Sequence, residues 1–250
     1  MAREDRVALQ AALAFATPTE VGGAVVLRVP QAPQSPMLNR IVGLGVERPA
    51  TEAQLDEALA AVAAGTTYYV AVAPGAQPAQ LPDWLRARGL EPGWGWMSFR
   101  RPLDGAPAPE TALRLVEVQS AEERAAFGRV VRASYGLPQA VEAKLARAPD
   151  AGWACWLACD GDEPAGAAGL YAADGVAYLG LAGTLPEHRG KGAQSALLAE
   201  RLRRAAQLGC EVAITETGER QGDRPSNSYR NILRAGFAEQ GVTANWLGRS

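Results

Sequence analysis

Arg189-Gly190-Lys191-Gly192-Ala193-Gln194 is the run whose residue types and spacing best suit an anion. Glycine lets a ligand approach the backbone closely. A helix opening here would turn its first-turn amides outward, without intrahelical acceptors, at the positive end of its dipole. The Arg189 and Lys191 side chains add positive charge where a diphosphate would sit. Downstream, Glu216 and Glu219 are carboxylates at the end of an apolar run, able to relay a proton through water. Asn227 and Tyr229 follow, the second with a hydroxyl that can donate a proton. A single histidine, His188, cannot build a His-based triad. Cys155, Cys159 and Cys210 show no metal-ligand spacing, so no metal site is expected and the thiols read as reduced core residues.

The elements around the corner are legible. Val176–Gly183 is an apolar run, expected as a strand, and Leu185-Pro186-Glu187 is a turn. Beyond the corner, Leu197, Leu198, Leu202, Ala205 and Ala206 share one helical face, with Glu200, Arg203 and Arg204 opposite. Gly209 stops that helix. A magnesium-dependent P-loop is excluded, because Leu185 stands where its first glycine belongs and Gly192 where its Ser or Thr belongs. A dinucleotide fingerprint matches only two of three glycines and needs a βαβ unit. The three strand-like runs before the corner, joined by short turns, form a meander instead.

Pro186-Glu187-His188-Arg189-Gly190-Lys191-Gly192-Ala193-Gln194 resembles the acyl-CoA signature of the GNAT superfamily of N-acetyltransferases. Gln194 departs from it, standing where Gly or Ala is usual. Asn227-Ser-Tyr229, then Ile232-Leu-Arg-Ala-Gly236-Phe237, is similar to a second motif of that family. The resemblance covers Thr111 to the C-terminus. It implies an α/β (α+β) fold with a mixed, mostly antiparallel sheet and flanking helices. It also implies acetyl-CoA as cosubstrate and acetyl transfer to the amine of a small-molecule acceptor.

On that resemblance Ala182, Gly183 and Thr184, at the exit of a strand that diverges from its neighbour, serve the pantetheine and the acyl oxygen. Arg189 through Gln194 serve the diphosphate. Asn227 contacts the cofactor or caps its helix, and both can hold at once. Glu216 is the expected base, with Glu219 the nearby alternative. The family's usual acid tyrosine corresponds to Ile232, which leaves Tyr229, one turn earlier, as the candidate. A non-catalytic acyl-CoA-binding or interaction module is the alternative, and a nicotinamide-dependent oxidoreductase a weaker one.

Composition agrees with a globular chain of 250 residues, 48% hydrophobic and 21% charged. A net charge of −2 provides no field for nucleic acid. No apolar run is long enough to span a membrane, and the first ten residues lack a signal-peptide pattern, so a cytoplasmic monomer or homodimer is expected.

Along the chain, a helix is expected within residues 1–16, with strands at Gly23–Val29 and Arg40–Val46. Thr51-Glu-Ala-Gln54 and Ser120-Ala-Glu-Glu123 are capping boxes, each opening a helix. Thr67–Ala73 and Trp94–Arg101 read as strands and Leu81–Arg88 as a helix. Pro102–Thr111 reads as a linker, Gln139–Ala148 as a helix, and Phe237–Val242 and Ala244–Leu247 as two final strands.

The order of elements repeats. Tyr69–Pro74 with Trp84–Gly93 parallels Val212–Thr217 with Ile232–Gly241, which points to two similar halves. The expected domains are a degenerate GNAT-like half, 1–105, and an acetyl-CoA-binding half, 111–250. In the first, Glu47–Gln54 replaces the Gly-rich corner, and its carboxylates would repel a diphosphate. Its expected role is structural, walling the substrate cleft.

Overall fold

A computed structural model describes residues 2–104, 113–222 and 226–250. In chain order the elements are α1 (Arg3–Leu13), β1 (Thr17–Val21), β2 (Ala24–Arg28), β3 (Arg40–Val42), α2 (Glu52–Ala60), β4 (Thr67–Val72), α3 (Leu81–Ala87), β5 (Glu91–Pro92), β6 (Trp96–Pro102) and β7 (Arg114–Glu117). They continue with α4 (Ala121–Tyr135), α5 (Glu142–Ala146), β8 (Trp153–Asp160), β9 (Glu163–Ala173), β10 (Val176–Thr184), α6 (Ala193–Gln207), β11 (Val212–Gly218), α7 (Asn227–Arg234) and β12 (Ala238–Arg249). Most of the expected linker, from Gly105 on, lies outside the described residues.

Contacts divide the chain into two compact units. One comprises Phe15–Met97 with Gly241–Ser250, the other Ala2–Ala14 with Ser98–Gln240. The termini therefore cross over. Helix α1 is counted in the second unit, and the last ten residues in the first.

In the first unit the strand order is β1-β2-β3-β4-β12. β2 pairs antiparallel with β1 and β3, whereas β3 runs parallel to β4, to which α2 connects it. Residues 244–249 of β12 close the far side of β4 antiparallel. Thr51 and Gln54 cap α2 reciprocally, as their spacing predicts. Val26, Ile41, Leu55, Val70, Leu81, Leu85 and Trp246 form one buried cluster. Each such side chain contributes about 1.5–3 kcal/mol by leaving water.

The second unit has the order β6-β11-β10-β9-β8-β7. β7 to β10 are antiparallel neighbours, and β10 runs parallel to β11 through α6. α4 and α6 cover opposite faces of this sheet. A Cβ on Gly183 would meet Ser134 of α4, while one on Gly166 would meet Ala193 and Leu197 of α6. Gly183 pairs with Ala167, whose neighbour Gly166 faces the other way. Val7 of α1 packs on Val176 and Val212. Ser120 and Glu123 form the second expected capping box, at the start of α4.

Several expected boundaries move. The strand expected at Arg40–Val46 ends at Val42, because Gly43 and Gly45 turn the chain at φ 86° and 74°. At Gly45 a Cβ would lie 2.3 Å from the Gln77 carbonyl oxygen. β1 and β5 were not expected; β1 has three exposed or half-exposed polar residues and little apolar alternation. Gln139–Ala148 is not one helix but α5 flanked by 3₁₀ turns at Gln139–Val141 and Ala148–Ala151. The two final strands are one, β12. The three cysteines are free and buried, and burial pushes the Cys155 thiol up to about 12.

Candidate functional site

The β10–α6 corner and the end of β11 make one site within the second unit. β10 and β11 pair from Val176↔Val212 to Leu179↔Thr215, yet β10 continues to Thr184 and β11 to Gly218. At the last pair the Thr215 hydroxyl donates to the Leu179 carbonyl at 2.7 Å. Immediately beyond, β10 bulges between Gly180 and Gly183, with Leu181 in the left-handed region at φ 52°. That conformation costs a non-glycine residue roughly 1–2 kcal/mol. Ala182, Gly183 and Thr184 thus lie on the diverging segment.

The bulge is held from both faces. The Trp153 ring lies against Gly169 and Gly180, where added Cβ atoms would come within 2.7 and 2.9 Å of it. On the helix side Arg201, only 3% exposed, donates to the carbonyls of Gly169 (3.2 Å) and Gly180 (3.4 Å) and to Leu197 of its own helix (3.1 Å). Desolvation lowers this guanidinium to about 10. Arg201 was missed in the sequence, although it sits three residues after Leu198 and four before Ala205, on the apolar stripe itself.

At the corner, Gly190 and Gly192 both take positive φ, 82° and 84°. Space is open around each, so glycine is needed here for its backbone freedom rather than for room. α6 opens at Gly192 with no side-chain cap and no acidic residue in its first turn. The first intrahelical bond runs from the Ala196 amide to Gly192. Among the described residues the amides of Ala193, Gln194 and Ser195 have no acceptor. Three outward N–H groups at a helix start, preceded by two left-handed glycines, form a concave donor surface for an anion.

The side chains distribute differently from the expectation. Arg189 is exposed at the corner. The Lys191 ammonium pairs with Asp160, whose second partner is His188 Nδ1 at 3.3 Å. Those two hydrogen bonds, Lys191 first, hold the Asp160 carboxyl below its usual range. Gln194, the residue that departs from the family pattern, points toward α7. It donates to the Ser228 hydroxyl (2.8 Å) and accepts from Asn231 (2.9 Å), which leaves the corner open.

Glu216 lies on β11 just past the last paired residue and accepts the Tyr178 hydroxyl at 2.8 Å. Asn227 is the first residue of α7, exposed and accepting from Arg230, while Ser226 caps the helix by accepting from the Tyr229 amide. Tyr229 is completely buried. Its ring stands edge-on to Phe99 at 4.9 Å under the Arg220 guanidinium, and its hydroxyl donates to Glu239 at 2.7 Å. Burial, then the Glu239 hydrogen bond, raises its pKa. That hydroxyl is already committed to Glu239.

Two further hydroxyls, from the end of α4, had no signal in the sequence. Ser134 packs on Gly183, and its Oγ is buried with no partner among the described residues. The hydroxyl of Tyr135, the last residue of α4, is raised by burial, while the Ala182 backbone N–H and the Arg201 charge oppose that rise. The residue as a whole remains 38% exposed.

Comparison with known proteins agrees with this geometry. Residues 117–225 match the model of the acetyltransferase (GNAT) family. A GCN5-related N-acetyltransferase from Kribbella flavida is similar over 100% of this chain and 96% of its own, at 23% identity and a TM-score of 0.69. A GCN5-related N-acetyltransferase from Sphaerobacter thermophilus aligns over 91% of this chain and 80% of its own, at 14% identity and a TM-score of 0.66. A tandem GNAT protein from the clavulanic acid biosynthesis pathway aligns over 91% and 78%, at 16% identity and a TM-score of 0.59. At these identities the structures share the fold. No curated protein sequence matches the chain. Among the described residues no helix is long and apolar enough to cross a membrane, and no group of three His, Cys, Asp or Glu could hold a metal ion.

Proposed function

We propose that the chain transfers acetyl from acetyl-CoA to the amine of a small-molecule acceptor. The observation that carries this reading is the uncapped start of α6 beside the divergence of β10 and β11. Donors for a diphosphate and a gap for the pantetheine arm then follow one another along the chain.

Ala193, Gln194 and Ser195 offer their amides to the diphosphate, with Arg189 adding charge. A backbone donor of the diverging segment, other than the Ala182 N–H that meets the Tyr135 hydroxyl, serves the acyl oxygen, where a fixed N–H is worth most as negative charge develops. Glu216, oriented by Tyr178, takes the amine proton through water. Asn227, at the exposed start of α7, borders the same corner. Acetyl-CoA supplies the activated acyl group and a thiolate leaving group.

The two units are read as two halves of one plan, the first without a diphosphate site. Three free, buried cysteines suit a reducing cytoplasmic setting. Oligomeric state, monomer or homodimer, is open to direct measurement by light scattering.

Calorimetric titration with acetyl-CoA is the first test: no heat together with no thermal shift refutes the reading. A second reading, a non-catalytic acyl-CoA-binding module, is favoured by Ile232 in the usual acid position and by Tyr229 bonded to Glu239. Release of CoA thiol across a panel of amines separates the two. In that assay Glu216→Gln should lower kcat about 100-fold with acetyl-CoA affinity kept within about twofold. A nicotinamide-linked activity would change NADH fluorescence on adding protein, and no change is expected.

A further inference from the structure

The site as read from motifs lacks a proton donor for the leaving thiolate. Its usual position is Ile232, which is buried, and the hydroxyl of Tyr229 is held by Glu239. We propose that Tyr135 is the catalytic acid, carried to the β10 bulge by the C-terminus of α4 rather than by α7. This rests on the acetyl-transfer reading above and extends it to a specific residue.

Three observations place it. Gly183 has no side chain, and a Cβ there would lie 2.2 Å from the Ser134 Cβ, so α4 ends in direct contact with the diverging segment of β10. The next residue, Tyr135, stops the helix before Gly136, which takes the left-handed C-cap conformation at φ 64°. Its hydroxyl takes a hydrogen bond from the Ala182 backbone N–H and feels the opposing charges of Arg201 and Glu216. Second, Ser134 Oγ is buried beside the same segment without a partner among the described residues, so this end of α4 presents two hydroxyls and not an apolar plug. Third, the buried Arg201 fixes the bulge through the Gly169 and Gly180 carbonyls, and its charge acts on the Tyr135 hydroxyl from the other face of the sheet.

The step balances without any further reactant. The amine nitrogen attacks the thioester carbon; the C–N bond forms and the C–S bond breaks, with its electron pair leaving on sulfur. The amine proton passes through water to Glu216. The Tyr135 hydroxyl gives its proton to the thiolate, and the Arg201 charge steadies the phenolate until solvent carries the Glu216 proton back to it. The products are the amide and CoA thiol.

The test compares the full-length chain with Tyr135→Phe, which keeps the ring and removes only the hydroxyl. We expect kcat for CoA-thiol release to fall about 30- to 100-fold. Acetyl-CoA affinity should stay within about twofold, and the alkaline limb of the pH–rate profile should vanish. Independently of turnover, tyrosines labelled with ¹³C at Cζ should show the Tyr135 resonance, assigned by its absence in the variant, moving when CoA is added. A variant with unchanged or faster kcat and the same alkaline limb overturns the assignment. So does a Tyr135 resonance that stays still while calorimetry shows CoA bound. A wild-type chain that binds no CoA removes the acetyl-transfer reading and this assignment with it, whereas one that turns over alongside an equally active variant removes the assignment alone.

Discussion

α2 and α6 each connect a parallel pair of strands, one in each unit, and the two helices begin in opposite ways. At α2 the Thr51 hydroxyl accepts from the Gln54 amide and the Gln54 side chain accepts from the Thr51 amide. Glu52 adds a carboxylate in the first turn. At α6 no side chain caps the start and no acid stands in the first turn. A cap stabilises a helix by about 1 kcal/mol. Leaving one out is tolerable where an external anion can take the amides instead. The first unit caps its own helix; the second does not. A cavity of about 390 Å³ does adjoin the α2 entry, lined by Gly22, Gly23, Gly43 and Gly45 with Glu47, Arg48 and Gln54. Its glycines lie upstream of the helix start, and the Gln54 amide of that helix is already engaged by Thr51.

The sharpest way to break this contrast is to give α6 the entry that α2 has. Gly192→Ser with Ser195→Glu should cost acetyl-CoA about 100-fold in affinity by calorimetry, from the lost amides and a repelling carboxylate. Unchanged affinity would mean that the corner is not the diphosphate site. A smaller effect is expected from Gly190→Val alone. The left-handed conformation costs valine about 1–2 kcal/mol, and the corner relaxing away from it should weaken acetyl-CoA about 10-fold. The reciprocal change, Thr51→Ala, should lower folding stability by about 1 kcal/mol in a urea titration while acetyl-CoA affinity holds. Loss of affinity there would mean that the first unit takes part in binding.

The smallest effect concerns Asp160. Its carboxyl is held below the usual range in the folded chain, so its contribution is present above the unfolded-state value, about pH 4, and fades as pH falls through the folded one. Asp160→Asn should therefore be slightly less stable than the parent at pH 7, with the gap narrowing as pH falls below about 4. A gap that does not narrow on acidification would show that Lys191 and His188 are not its cause.

Helix starts were readable because a cap is a local event: Thr51 and Gln54, or Ser120 and Glu123, meet within one turn. The corner was readable for the same reason, since Gly190 and Gly192 announce a backbone that only glycine adopts easily. The end of the strand at Val42 was not, because Gly45 turns against Gln77, a residue far along the chain. Nor was the fate of Tyr229, whose neighbours Phe99, Arg220 and Glu239 come from three other segments.

The sequence alone therefore determined most of the elements, the capped helix entries and the glycine corner from Gly190 to Gly192. These depend on residues within a turn of one another. Only the tertiary structure decided that Tyr135 and not Tyr229 meets the bulge, that Arg201 donates to the bulge's carbonyls, and that Gln194 leans toward α7. Each depends on which distant backbone group a side chain meets, and a strand's divergence from its neighbour is a relation between segments that no local spacing encodes.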